Sequence, residues 1–329
     1  MLTAYALTEH GPERRALPDA AAIAAGDRGG IGWIDLYSPD REEELAAEAF
    51  MDGDIPTREE INEIEFSSRF YVRGGVTVMT ASVLIGVGEE APGLTPVSFA
   101  VAADRMVTLR YAEMTAFRQF LARAVQSGSG CGTVPGIFAT LLEAIIDRTA
   151  DVTERISSSV DALNRHIFER HIGSRKRSRR LAAAIGGLGA QGDLASKTRE
   201  SLTSLERLVQ FAAAMLPPFT QASSLSARLK LMLRDIRSLE DSVNFVLTKI
   251  TFLLDATLGL ISTEQNKVIS VLTVVSTVLL PPTLIGAIYG MNFQDMPELH
   301  VHWGYPLALV AMVLSAVLPY LYIKWRGWL

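Results

Sequence analysis

Hydrophobic and polar positions alternate in short runs up to residue 126, then settle into long helical periods, and finally lose their charges altogether. Residues 31–36 read as a strand, and Ser38-Pro39-Asp40 then predicts a helix start with Ser38 as N-cap and Pro39 in the first helical position. Pro56-Thr57 predicts a second start of the same kind. Residues 66–72 and 76–85 flank Arg73-Gly74-Gly75 as a hairpin. Residues 97–102 and 106–111 flank Ala103-Asp104-Arg105 as another, and 113–125 read as a helix. Residues 127–132, all small, predict a linker.

Beyond Pro135, apolar residues recur every three or four positions from Ile137 through Ile167, a pattern that predicts one long helix ended by Gly173. A second helical region is expected from about Ser178 to Met215, weakened by Gly186, Gly187, Gly189 and Gly192. Arg175-Lys176-Arg177-Ser178-Arg179-Arg180 falls at the tip between the two. Pro217-Pro218 forces a turn. From about residue 220 to Tyr289 the only glycines are Gly259 and Gly286, which predicts one helix of about 70 residues, about 100 Å long.

The last part of that helix is uncharged. Residues 268–289 form a run of 22, about 33 Å as a helix, and 304–323 form a second run of 20. The 14-residue connection 290–303 makes the pair a membrane hairpin. The connection holds Asp295 and Glu298 but no Lys or Arg, whereas Lys267, Lys324 and Arg326 flank the other ends, so both termini are expected in the cytoplasm. Tyr289 and Trp303 at one interface, and Trp325 and Trp328 at the other, suit aromatic anchors. Pro281-Pro282 is expected to interrupt the first span and to face protein or water. Steps of three and four from Asn266 meet Ile269, Thr273, Ser276, Leu280, Thr283 and Ala287, a small or hydroxylated face. Such a face suits a narrow pore, or helix-to-helix packing, and the spacing alone does not choose. Two spans cannot enclose an aqueous path, so a pore needs several copies.

Composition narrows the function. Of 67 charged residues in the 329, only Asp295 and Glu298 lie in 268–323, so the mean hydropathy of +0.23 averages a water-facing part with an apolar tail. An all-soluble protein and a many-span transporter are both excluded. The start of the chain has no apolar leader run, so no cleaved signal peptide is expected. Cys131 is the only cysteine, which excludes an intrachain disulfide or a thiolate metal cluster. A net charge of −5 gives no argument for nucleic acid. No nucleotide-binding glycine fingerprint, Walker A pattern or HExxH occurs, so no enzyme and no catalytic cofactor is expected. His300 and His302 make an HxH, short of the three or four ligands a transition metal takes.

At the outer end of the long helix stands Tyr289-Gly290-Met291-Asn292-Phe293, followed by Met296-Pro297-Glu298-Leu299. This resembles the CorA family of magnesium and cobalt transport proteins, whose signature is Tyr-Gly-Met-Asn after the first of two C-terminal spans. The likeness also takes in Glu264-Gln265-Asn266-Lys267, Pro281-Pro282-Thr283 and Pro319-Tyr320-Leu321-Tyr322, and is dense from Leu233-Arg234-Asp235-Ile236 onward. The resemblance implies an α+β cytosolic domain, then long helices and the membrane hairpin, in a funnel-shaped homopentamer of a bacterial inner membrane. Its divisions are a cytosolic α/β domain 1–126, a helical hairpin 127–219, a stalk 220–267, spans 268–289 and 304–323, an outer loop 290–303 and a basic tail 324–329. It implies passive Mg²⁺ entry, with Co²⁺ and Ni²⁺ also accepted, and membrane lipid as the only other partner. Gly290, Met291 and Asn292 would form the filter, Asp295 and Glu298 the charged mouth. Asn266, Ile269, Leu272, Ser276, Leu280, Thr283 and Ala287 would line the pore. Regulatory Mg²⁺ between subunits is assigned to Asp235, with Glu240, Asp241 and Asp255 behind it.

Two other readings remain: a zinc transporter of the same superfamily, and a membrane-anchored scaffold. The first typically departs from the Met and from the Met-Pro-Glu-Leu loop kept here, and the second does not call for a hydroxylated span face.

Overall fold

The computed structural model describes residues 1–8, 10–16, 28–62, 69–87, 92–124, 131–169, 174–216, 223–291 and 302–327. Their contacts divide into two compact units, Met1–Arg165 with Gly186–Leu253, and His166–Ile185 with Leu254–Leu329.

In the first unit, seven strands form one sheet: β1 (Leu2–Thr8), β2 (Gly11–Arg15), β3 (Ile31–Tyr37), β4 (Phe70–Arg73), β5 (Val76–Ile85), β6 (Gly93–Val101) and β7 (Met106–Arg110). Their order is β2-β1-β3-β7-β6-β5-β4, antiparallel except where β3 pairs with β7. The β1–β2 hairpin was not foreseen, because Gly11–Arg15 is a short polar edge strand with a proline. Strand β4 begins at Phe70, and residues 66–68 of the expected strand lie outside the described residues.

Both faces of the sheet are covered, which explains why β5 is buried at nearly every position. On one face Ile34, Leu36, Val78, Val107 and Leu109 cluster with Phe50 and Met51 of α1 (Arg41–Met51) and Ile61 of α2 (Arg58–Asn62). On the other, Trp33 meets Phe120 of α3 (Thr115–Ala124) edge-on at 5.6 Å, and Phe99 meets Phe138 of α4 (Val134–Phe168) at 5.5 Å. Asp35 accepts three hydrogen bonds from Arg110, one from Nη2 at 2.8 Å and one to each carboxylate oxygen from Nε at 3.2 Å, and one from the Thr108 hydroxyl at 2.7 Å. Arg110 also stacks on Tyr37 and Phe117. This buried pair is therefore satisfied on both sides, the condition under which a buried charge is tolerated.

Helix α1 begins two residues later than expected. Asp40, not Ser38, is the N-cap: it accepts from the Glu43 amide at 2.9 Å while Glu43 accepts from the Asp40 amide, a reciprocal box. Ser38 sits at φ 42°, outside the extended geometry an N-cap takes, and Pro39 precedes the helix. Thr57 and Glu60 repeat the box at α2, with Pro56 outside it.

Three helices continue from the sheet: α4, α5 (Ser174–Met215) and α6 (Ser223–Tyr289). In the first unit α6 runs parallel to α4, tied by Arg228 to Glu143 at 2.7 and 2.9 Å and by Lys249 to Asp161. The Lys249 hydrogen bond, reinforced by its charge, holds the Asp161 carboxyl below the ordinary range. Helix α5 is unbroken through its glycines, contrary to the expected weakening. A Cβ at Gly187 would stand 3.1 Å from the Leu163 side chain, so there the glycine serves close approach of α5 to α4.

The second unit holds the end of α4, the start of α5, the remainder of α6, and α7 (Gly304–Trp325). The basic run 175–180 lies inside α5 and is not an interhelical loop. Pro281 and Pro282 lie inside α6 without interrupting it. Helices α6 and α7 each contain a segment long and apolar enough to cross a membrane.

Candidate pore helix and its flanking charges

Two faces can be told apart on the apolar part of α6. Half-buried positions are Ser270, Val274, Val278, Pro281, Pro282 and Ile285, which fall on one side of the helix. Gly286 is near them, and a Cβ there would stand 3.4 Å from Met312 of α7. The two prolines withdraw the N–H donors that the Thr277 and Val278 carbonyls would otherwise receive, and they do so on the half-buried side.

The opposite side is uncovered. Asn266, Ile269, Thr273, Ser276, Leu280, Thr283 and Ala287 are all exposed, as is Leu272 beside them. Leu280 keeps 65% of its surface and Leu272 66%. The threonine hydroxyls spend their protons on their own helix. Thr273 donates to the Ile269 carbonyl at 2.9 Å, Thr277 to Thr273 at 2.8 Å, and Thr283 to Leu280 at 2.8 Å. Each hydroxyl oxygen then offers lone pairs outward, the polarity that suits a cation or the hydrogens of its water.

The count of three and four continues back along α6 into the first unit, which the sequence reading did not notice. Ser262, Gly259, Asp255, Phe252, Thr248, Phe245, Asp241, Ser238, Arg234 and Leu231 keep the same phase, and every one is exposed. Phe245 is 69% and Phe252 62% exposed. Large bare aromatics on a soluble stretch mark a contact surface. The available signal was Phe245 and Phe252, two large aromatics seven residues apart on that phase and so on one side of the helix.

At the outer end, the Gly290 amide donates to the Gly286 carbonyl at 3.0 Å and Met291 to Ile288 at 3.3 Å. A Cβ at Gly290 would stand 3.0 Å from the Gly286 carbonyl oxygen, a tight approach that glycine relieves. Asn292, Asp295, Glu298 and His300 lie outside the described residues. His302 is in an exposed turn.

At the inner end, Glu264 is nearly buried between two cations, Arg177 at 3.3 Å and Lys267 at 3.2 Å. The four acidic candidates are not brought together. Asp235, Asp241 and Asp255 are exposed, and Glu240 accepts a hydrogen bond from the Thr203 hydroxyl at 2.9 Å. Asp241 shares an open groove with Glu154, Ser157, Ser238, Ser242 and Phe245. Among the described residues no three His, Cys, Asp or Glu side chains converge within one chain.

An α/β domain that passes through long helices into two of membrane-spanning length, the first with one bare hydroxylated face, defines a class of two-span membrane proteins. The chain belongs to the CorA-like Mg²⁺ transporter family, whose pattern matches residues 28–325. It is 35% identical over 301 residues to the magnesium transport protein CorA of Escherichia coli (strain K12), covering 90% of this chain and 92% of that one. The corresponding protein of Salmonella typhimurium is also 35% identical over 301 residues, with the same coverage. The fold is that of the CorA magnesium transporter from Methanocaldococcus jannaschii, with a TM-score of 0.76 over 100% of this chain and 99% of that one at 16% identity.

Proposed function

We propose that the chain is one subunit of a passive Mg²⁺ channel, five copies of which place the bare face of α6 around a common water-filled axis. The carrying observation is that face: outward hydroxyl oxygens and exposed apolar residues at unbroken three-and-four spacing, with the half-buried residues and the approach of Gly286 to Met312 of α7 on the other side. Membership of a family of Mg²⁺ transporters supports the cargo, and the printed function of relatives 35% identical over 90% of the chain supports it further. Both termini are assigned to the cytoplasm of a bacterial cell from the cations at Lys267, Lys324 and Arg326.

Mg²⁺ gives up its waters reluctantly, so the filter should read a hydrated ion. Five Asn292 amide oxygens above close-packed Gly290 would accept hydrogen bonds from that shell, with Asp295 and Glu298 drawing cations to the mouth. Leu280, Leu272 and Ile269 would form rings that close the path by dewetting. Entry needs no ATP, because a divalent ion gains about 4.6 kcal/mol per 100 mV of membrane potential. Co²⁺ and Ni²⁺, similar in charge, are further candidate cargo.

Purified protein in liposomes should pass Mg²⁺ under an inside-negative potential without a proton gradient. Zn²⁺ flux that needs a pH gradient, with no Mg²⁺ flux, would favour zinc transport. Absence of any flux would leave the hairpin as an anchor.

Regulation is assigned to Asp235, exposed on α6 next to Arg234 at the edge of the face that copies would share, with Asp241 and Asp255 on that face and Glu240 as a further acid. Internal Mg²⁺ bridging such carboxylates relieves their repulsion and holds the copies together. In the same assay Asp235→Ala should keep several-fold more flux than wild type at an internal Mg²⁺ that shuts wild type. Inhibition unchanged from wild type would remove Asp235 from the role.

A further inference from the structure

The basic run at the start of α5 has no part in the pore. Arg177 is anchored by Glu264, which lies four residues, about 6 Å of helix rise, before the charge-free stretch that begins at Val268. Arg179 and Arg180 are exposed within one helical turn of Arg177. Arg180 reaches Glu169 at 3.1 Å, and Arg179 makes no ion pair among the described residues. Lys267 is exposed, with Glu264 as its partner. Glu264 is thus shared between two cations, and Glu169 is taken by Arg180. The other acid among the described residues of this unit, Asp255, is nine positions from Glu264, about 14 Å along the helix. A surplus of positive charge therefore stands at the level where α6 would enter the bilayer.

We propose that the start of α5, together with Lys267, is a docking surface for anionic phospholipid headgroups of the inner leaflet, whose phosphodiester oxygens pair with the exposed guanidinium groups. The proposal rests on the reading of α6 and α7 as spans. Guanidinium groups match phosphate oxygens in a bidentate way, and basic residues at a membrane surface gain from its negative potential. The Arg177–Glu264 bond makes this contact more than tethering: lipid that holds the start of α5 also bears on α6 just before the pore.

The test uses the full-length protein in nanodiscs of pure phosphatidylcholine and in nanodiscs of phosphatidylcholine mixed equally with phosphatidylglycerol. Amide hydrogen exchange is followed in peptides covering residues 174–185. Exchange should slow about fivefold in the anionic discs, the factor that corresponds to about 1 kcal/mol for one cation at a charged surface. Raised salt, or the double variant Arg179→Gln and Arg180→Gln, should erase the difference. Equal exchange of the wild-type protein in the two lipids would overturn the proposal while leaving the spans intact. Failure of the chain to enter discs of either composition would overturn the spanning reading, and this surface with it.

Discussion

Proteoliposomes carrying Asn292→Ala are expected to lose Mg²⁺ flux by at least about 100-fold, while the protein still assembles. Gly290 is packed against the Gly286 carbonyl oxygen and ends α6, so the chain leaves the helix just before position 292. In the proposed assembly five amide oxygens meet the hydrated ion together. A hydrogen bond to a neutral group contributes about 1 kcal/mol, and one to a charged group more. Losing the ring at once therefore exceeds the roughly 2.7 kcal/mol that a 100-fold change requires. The change removes an acceptor and adds no bulk, so size-exclusion behaviour and thermal stability should match wild type. A variant that assembles normally and transports within threefold of wild type would remove Asn292 from the filter.

The second large effect is expected at Leu280. It is exposed on the bare face of α6, one helical turn from Thr283 and Ser276. If copies of Leu280 ring the axis, the closed state depends on water leaving that ring. Asn nearly matches Leu in size and shape but holds water, so Leu280→Asn tests polarity with little change in width. At an internal Mg²⁺ that closes wild type, the variant should pass Mg²⁺ about tenfold faster or more. Asn at Val278, on the half-buried face, should not open the path. Closure of Leu280→Asn equal to wild type would mean that the gate lies elsewhere.

How much of this was legible depended on how local each signal was. The two spans were, because absence of charge over 20 residues needs no tertiary context. The length of α6 was also legible, since its periodicity runs with few breakers. The glycines of α5 misled because propensity counts a missing side chain as a cost, whereas Gly187 uses it to admit Leu163. The shifted start of α1 had a local signal that was passed over: Asp40 has a glutamate three residues on, whereas Ser38 has Arg41 there. The Asp35–Arg110 pair spans 75 positions, and the anchoring of Arg177 by Glu264 spans 87. No short-range pattern carries such contacts, which is why the basic run read as an exposed tip. The bare phase of α6 from Leu231 to Ser262 was countable from the letters, but only burial separates it from other faces of the helix.

Cysteine accessibility along α6 tests the shared water-filled axis most directly. Cys131, the sole cysteine, is buried and would first be replaced by Ala. Single cysteines are then placed at Thr273, Ser276, Leu280 and Thr283, and for contrast at Val274, Val278 and Ile285. In liposomes under Mg²⁺-free conditions, a small water-soluble thiol reagent should modify the first set and spare the second, so that reactivity follows steps of three and four. Silence at all of the first set, with the reagent shown to react at an exposed control cysteine, would mean that no water reaches this face. The channel account would then be wrong.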